Sequence, residues 1–345
     1  MATPAQLCDR FPQVPAAELL AGFTAPPHFS HVRFGTYVPD PGAPSQANAL
    51  AELEAFAQTV NSGAQSEGKR FRFGSRRRAN PDGKVGVYLD GGYGVGKTHL
   101  LASLWFATAP AGLRAYGTFV EYTNLVGALG FEQTVGALSP YALVCIDEFE
   151  LDDPGDTVLM STLLTRLAEQ GVRLAATSNT LPDKLGEGRF AADDFLREIQ
   201  GLAAKFEILR IDGEDYRHRG LPTAPPPLST EEVVQIAQDT AGASLDSFPD
   251  LLAHLGEVHP SRYGAMLEGL STVCLTDVDV LSDQADALRL VVLVDRMYDR
   301  DIALAASGAP VDSLFPADML SGGYRKKYRR AISRLTALAK SQSAA

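Results

Sequence analysis

Hydrophobic positions along the chain follow two rhythms: short, wholly apolar runs, and longer stretches with apolar residues at three- and four-residue spacing. The runs at 85–89, 142–146 and 173–177 predict strands. The stretch 97–108 predicts a helix. Another is predicted over 156–170, with Leu159, Leu163, Leu164 and Leu167 on one face and Gly171 ending it. Upstream, Ala49, Leu50, Leu53, Phe56 and Val60 recur at helical spacing and predict a helix over 45–60. Residues 115–122 read as β-like, followed by a short helix over 124–129 with Thr123 as its cap. Strands that are apolar throughout must be covered on both faces. Alternating with helices, they imply an α/β fold with a parallel sheet core and helices on both sides.

Outside this core the pattern changes. Residues 1–44 are Pro-rich and irregular, with an extended patch around Phe34-Gly35-Thr36-Tyr37-Val38-Pro39. A basic segment carries Lys69, Arg70, Arg72, Arg76, Arg77 and Arg78. Residues 221–227 read as a linker. Beyond it the chain reads as mostly helical, over 230–240, 248–255, 282–297 and 323–340, with one strand at 302–306. The segment around Leu163-Leu164-Thr165-Arg166-Leu167 and the strand after it are echoed by Leu293-Val294-Asp295-Arg296-Met297 and 302–307. Two copies make a pair of helix–strand units, not an array. The expected organisation is an N-terminal segment and helix (1–60), a strand–helix core (61–220) and a mostly helical C-terminal region (221–345).

The chemistry begins between the first strand and the helix at 97. Gly91-Gly92-Tyr93-Gly94-Val95-Gly96-Lys97-Thr98 matches G-x-x-x-x-G-K-[ST]. Glycines let the backbone curl so that N–H groups point at a phosphate, and the following helix adds its positive end. His99 continues this N-terminus. Lys97 is expected on the β- and γ-phosphates, and the Thr98 hydroxyl on Mg²⁺. The ordinary alternative, a chance glycine-rich turn, is disfavoured by the strand before it and the helix after it. The core is therefore expected to be that of a P-loop NTPase, binding ATP.

Fifty residues on, Leu143-Val144-Cys145-Ile146-Asp147-Glu148 places two acids at a strand end, the edge at which α/β proteins bind ligands. Asp147 is expected to hold Mg²⁺, mostly through water, and Glu148 to polarise the attacking water. The third apolar strand leads into Thr177-Ser178-Asn179. Asn179 is the residue expected to sense the γ-phosphate or position the water, with Ser178 as the weaker choice. Loop, acidic strand and polar strand, in that order, indicate an extra-strand ATPase core and not a nucleotide kinase.

The formal charge of -11 argues against a nucleic-acid footprint over the whole molecule, though local basic patches remain. Cys8, Cys145 and Cys274 are far apart, which suggests neither a disulfide framework nor a zinc site. The start, Met1-Ala2-Thr3-Pro4, shows no signal peptide, and no stretch approaches the roughly 18 apolar residues of a membrane span. A soluble, cytoplasmic protein is expected.

The stretch Ile146-Asp147-Glu148-Phe149-Glu150-Leu151-Asp152-Asp153-Pro154-Gly155-Asp156 resembles the ZapE family of bacterial division ATPases and the related mitochondrial Afg-type AAA ATPases. So do Phe34–Pro39 with Gln46, Arg76-Arg77-Arg78, Ala176-Thr177-Ser178-Asn179 with Pro182 and Leu185, and Asp215-Tyr216-Arg217-His218-Arg219. Late in the chain, Leu293-Val294-Asp295-Arg296-Met297-Tyr298-Asp299 and Ile332-Ser333-Arg334-Leu335 follow the same pattern. The resemblance runs from about 28 to 338. It implies an AAA-type ATPase acting on a protein partner, FtsZ at the division site for ZapE and membrane-protein turnover in mitochondria. A homo-oligomer is expected as well. The family's Arg-x-Arg-Phe run aligns with Ala192-Asp193-Asp194-Phe195, where both arginines are missing, with Arg189 and Arg197 nearby. That leaves the arginine finger among Arg189, Arg197, Arg217, Arg219, Arg330 and Arg334, with Arg334 favoured and Arg217 second.

Two further readings stand beside partner remodelling: a helicase-loader-type ATPase that binds single-stranded DNA, and a nucleotide-dependent switch with little turnover. The basic run Arg325-Lys326-Lys327-Tyr328-Arg329-Arg330 would serve an acidic partner or DNA. A solvated face on a helix packed through Tyr324, Tyr328, Ile332 and Leu335 is the simpler reading. The long C-terminal region favours the remodelling ATPase.

Overall fold

The computed structural model describes residues 4–68, 84–92, 94–108, 113–149, 154–179, 201, 203–213 and 223–343. Arg76–Arg78, Tyr93, Glu150–Asp153, Arg189, Arg197, Arg217 and Arg219 lie outside them. Two compact units form. One takes the described residues of 16–25 and 29–218, the other those of 1–15, 26–28 and 219–345. The segment 1–60 is thus divided between the units.

The first unit is built on five parallel strands in the order β2-β3-β4-β1-β5. They are β1 (Gly86–Gly91), β2 (Arg114–Thr118), β3 (Leu143–Asp147), β4 (Arg173–Ser178) and β5 (Phe206–Ile211). Alternate residues face opposite layers. Val87 and Leu89 pack toward the helices Pro44–Gly68 and Lys97–Ala107. Tyr88, Val144 and Ile146 pack toward Phe119–Leu129, Phe131–Leu138 and Pro154–Glu169. Helices therefore cover both faces, as the uniformly apolar strands required. Strand β4 sits between β1 and β3, the extra-strand arrangement expected from the motif order.

Two expectations need correction here. The β-like run at 115–122 ends at Thr118, and a helix starts at Phe119 rather than 124. Its cap is Thr118, not Thr123. The Thr118 hydroxyl accepts from the Glu121 N–H at 3.3 Å, and the Glu121 carboxylate accepts from the Thr118 N–H. This reciprocal box overrides the β-branched and aromatic character of Phe119-Val120-Glu121-Tyr122. The fifth strand was not anticipated. As an edge strand it has exposed positions at Glu207, Ile208 and Arg210, so it lacks the unbroken apolar run of the others.

The second unit is mostly helical by residue, as expected. It also holds a three-stranded parallel sheet, β6-β7-β8 (Ala243–Ser247, Thr272–Val278, Ala303–Gly308). The helices Phe248–Glu257, Gln284–Asp299 and Arg325–Ser343 cover one face, and Thr230–Asp239 packs Val233 and Ala237 on the other. The helix–strand echo is real in build: Pro154–Glu169 leads into β4, and Gln284–Asp299 into β8. Isolated bridges close the sheet's edges, Ala5 on Ser244 and Leu228 on Ser307. The three cysteines are free thiols. Among the described residues, no helix is long and apolar enough to cross a membrane.

Candidate active site: a phosphate loop beside an acidic strand end

Strand β1 delivers the loop. A Cβ on Gly91 would lie 2.3 Å from the Ile211 carbonyl oxygen, so β5 passes where only glycine fits. Gly94 and Gly96 adopt φ of 81° and 88°, the left-handed region open to glycine. A Cβ on Gly96 would also stand 2.5 Å from the ring of Tyr37, whose hydroxyl donates to the Val95 carbonyl at 3.0 Å. Burial pushes the Tyr37 phenol up, so it remains a donor. The N-terminal segment is thus a wall of the loop. Gln46 adds to it, accepting from the Asp40 N–H and donating to the Asp212 carbonyl, both at 2.8 Å.

The helix after the loop, Lys97–Ala107, begins at Gly96 with no side-chain cap. The first N–H groups of a helix lack intrahelical partners, so this end is suited to an anion. Buried Lys97 donates to the carbonyls of Gly91 (2.9 Å) and Gly92, and to Asn179 Oδ1 at 2.9 Å. The loop lysine and the polar end of β4 therefore meet. His99 turns its ring to the N-terminal segment, with Nε2 3.0 Å from Thr36 Oγ1.

Strand β3 brings the acids. Asp147 is buried and receives four hydrogen bonds. Oδ1 accepts from the Thr98 hydroxyl at 3.4 Å, from the Glu148 N–H at 3.1 Å and from the Thr177 hydroxyl. Oδ2 accepts from the Tyr116 hydroxyl at 2.8 Å. Burial, then the charge of Asp147, drives the Tyr116 phenol well above its ordinary pKa, so it stays a donor. Glu148 follows in the left-handed region at φ 54°. That conformation costs roughly 1–2 kcal/mol for a non-glycine residue. The turn lets Phe149 bury completely against Phe119 and Tyr88, worth about 1.5–3 kcal/mol, so burial wins. Thr177 pins the turn: its hydroxyl accepts from the Glu148 N–H at 3.0 Å and its carbonyl from the Phe149 N–H at 2.7 Å. Glu148 is left partly exposed between two buried neighbours.

Sequence reasoning did not single out Tyr116 and Thr177, or the pair beneath the loop. Asp90, 2% exposed at the end of β1, pairs with Arg210 of β5, which also binds Asp212 at 3.1 Å. Hydrogen bonds from Arg210 to Asp212, then to Asp90, raise the guanidinium's pKa. Arg334 lies in the other unit. There, with Arg330, it pairs with Asp295, its guanidinium 5.1 Å from the Tyr298 ring centre. Burial pushes the Asp295 carboxyl up, but the two guanidiniums outweigh it and hold it below its ordinary range.

The donor set suits Mg²⁺. A hydroxyl and a carboxylate stand beside a phosphate cradle, and this ion takes few protein oxygens, completing its shell with phosphates and water.

The AFG1-like ATPase family model matches residues 14–233 and 225–344. Over 87% of its length the chain is 27% identical to the cell division protein ZapE of Escherichia coli K12, covering 92% of that protein. It is 28% identical over 148 residues to an uncharacterized protein of Schizosaccharomyces pombe, 38% of this chain and 33% of that one. Among solved structures, the replication initiator DnaA bound to AMPPCP and single-stranded DNA is similar over 91% of this chain and 93% of that one, at 13% identity and a TM-score of 0.40. The DnaC helicase loader is similar over 54% and 99%, at 21% identity and a TM-score of 0.36. Matched by its family model along nearly its whole length, the chain belongs to the AFG1-like ATPases and is a P-loop ATPase.

Proposed function

We propose that the protein hydrolyses ATP in a Mg²⁺-dependent reaction coupled to remodelling or regulating a protein partner, in cell division as in its ZapE relatives. The observation that carries the chemistry is the convergence of Lys97, Thr98 and Asn179 with the Asp147–Glu148 strand end. In this reading the loop N–H groups and Lys97 hold the β- and γ-phosphates, Thr98 and Asp147 hold Mg²⁺, and Asn179 senses the γ-phosphate. Bound Mg²⁺ would neutralise charge on the phosphate oxygens. Glu148 takes up the proton of the attacking water, held in place by the turn that Thr177 pins.

The partner reading rests on the similarity to a cell division protein over 87% of the chain. FtsZ is the first partner to test, in the cytoplasm, with the ATPase acting as a homo-oligomer. Arg217 is our choice for the arginine supplied by a neighbouring subunit, because Arg334 would first have to leave Asp295. ATP turnover, together with ATP-dependent co-pelleting with polymerised FtsZ, tests the proposal. Turnover without FtsZ binding would remove the partner and leave the ATPase. Mixing Arg217→Ala with Glu148→Gln subunits tests the arginine. If each is inactive alone and the mixture regains no hydrolysis, action across subunits is ruled out.

A further inference from the structure

One buried hydroxyl beside this site has no part in the reading so far. Tyr116 lies mid-strand in β2, 2% exposed, and its hydroxyl donates to Asp147 Oδ2 at 2.8 Å. The other three donors, Thr98, Thr177 and the Glu148 N–H, all meet Oδ1. A carboxylate held at one oxygen can still turn about its Cβ–Cγ bond, a torsion with broad preferences. A tie at the second oxygen removes that freedom. Tyr116 is suited to the task because its ring is fixed in the sheet core and its strand lies beside β3, with Tyr116 opposite Cys145 and Thr118 opposite Asp147. It brings a donor to the carboxylate without bringing a charge.

We propose that Tyr116 is a positioning residue for the metal-binding carboxylate: its hydroxyl fixes the plane of Asp147 so that Oδ1 stays turned to the Thr98 hydroxyl, the pair that would hold Mg²⁺. This rests on the assignment of Asp147 to Mg²⁺. Outer partners that orient metal ligands typically contribute about 10–100-fold to metal affinity. The effect belongs to the metal and not to the nucleotide, since Lys97 and the loop are held by other bonds.

The test is equilibrium binding of ATP carrying an uncleavable β,γ-methylene bridge to the full chain, titrated with Mg²⁺ and repeated in EDTA. Tyr116→Phe keeps the ring and removes the hydroxyl. It is expected to keep its EDTA affinity, and to need about 10-fold more Mg²⁺ for half the metal-dependent gain in affinity. An Asp147→Asn control should lose most of that gain. If Tyr116→Phe responds to Mg²⁺ like the wild type while Asp147→Asn does not, the positioning role is overturned and the metal assignment stands. If both respond like the wild type, the assignment and the inference fall together. A Tyr116→Phe protein that also loses binding in EDTA would show a general structural role and overturn the proposal.

Discussion

The two parallel sheets of this chain begin alike and end differently. In the first unit, β1 runs into a glycine loop and a helix whose N-cap makes no side-chain bond. In the second, β6 runs directly into the helix Phe248–Glu257. There the Ser247 hydroxyl accepts from the Asp250 N–H at 3.3 Å, Pro249 sits in the first turn, and Asp250 supplies negative charge. One helix end is held open toward an anion, and the other is closed by its own side chains. Strand β3 ends in acids clasped for chemistry, whereas Asp246 of β6 binds the Leu7 and Cys8 N–H groups, each at 3.0 Å. The same α/β construction serves as an active edge in one place and as packing in the other. What separates them is whether the helix that follows the strand has its N-terminus closed by the chain's own side chains.

The sharpest way to break this contrast is to disable the open end. Lys97→Ala should abolish ATP binding in an equilibrium titration, and Gly96→Ser should do the same by forcing a side chain against Tyr37 at a left-handed φ. ATP binding by Gly96→Ser at wild-type affinity would refute the account of the loop.

Next in size, Glu148→Gln should lower kcat by roughly 10²–10⁴ while leaving ATP affinity intact, so that bound ATP is trapped. Unchanged turnover would remove Glu148 from its role.

In the second unit, Asp295→Ala would remove the carboxylate that Arg330 and Arg334 share. It should cost about 3 kcal/mol in urea unfolding, with no change in ATP affinity. Arg334→Ala should cost less, because Asp295 keeps Arg330. The sign with pH follows from the depressed Asp295 pKa. The ion pair's contribution is fully present above the ordinary aspartate value of about 4 and is lost as pH falls through the lower folded value. Acid unfolding curves of wild type and Asp295→Ala should therefore converge only once the pH has fallen below that lower folded value. The smallest effect is expected from Ser247→Ala, about 1 kcal/mol of stability and none on nucleotide binding.

The contrast also shows which features were legible in the sequence. The loop, Asp147, Glu148 and Asn179 all lie at the ends of apolar runs, where local pattern and spacing suffice. Tyr116 was not legible, because nothing local says that β2 will lie beside β3. Asp90 and Arg210 meet across 120 positions, and each alone reads as a surface charge. Strand β6 was missed because Ala243-Ser244-Leu245-Asp246-Ser247 is half polar. Asp246 finds its partners nearly 240 residues away, at the start of the chain. The helix at Phe119 was hidden behind residues that favour strands and revealed only by its capping pair.

The wall that Tyr37 and Gln46 build around the loop bears on how this enzyme can be dissected. By motif alone, a minimal ATPase could be cut at residue 61, just ahead of the basic segment and the first strand. Such a fragment would keep every signature residue from Gly91 to Asn179. It would lack the phenol that tethers the Val95 carbonyl, the amide that ties residue 40 to residue 212, and most of the helix Pro44–Gly68. Truncation from the N-terminus should therefore weaken nucleotide binding well before it reaches the signature, and the smallest functional catalytic fragment has to begin ahead of Phe34.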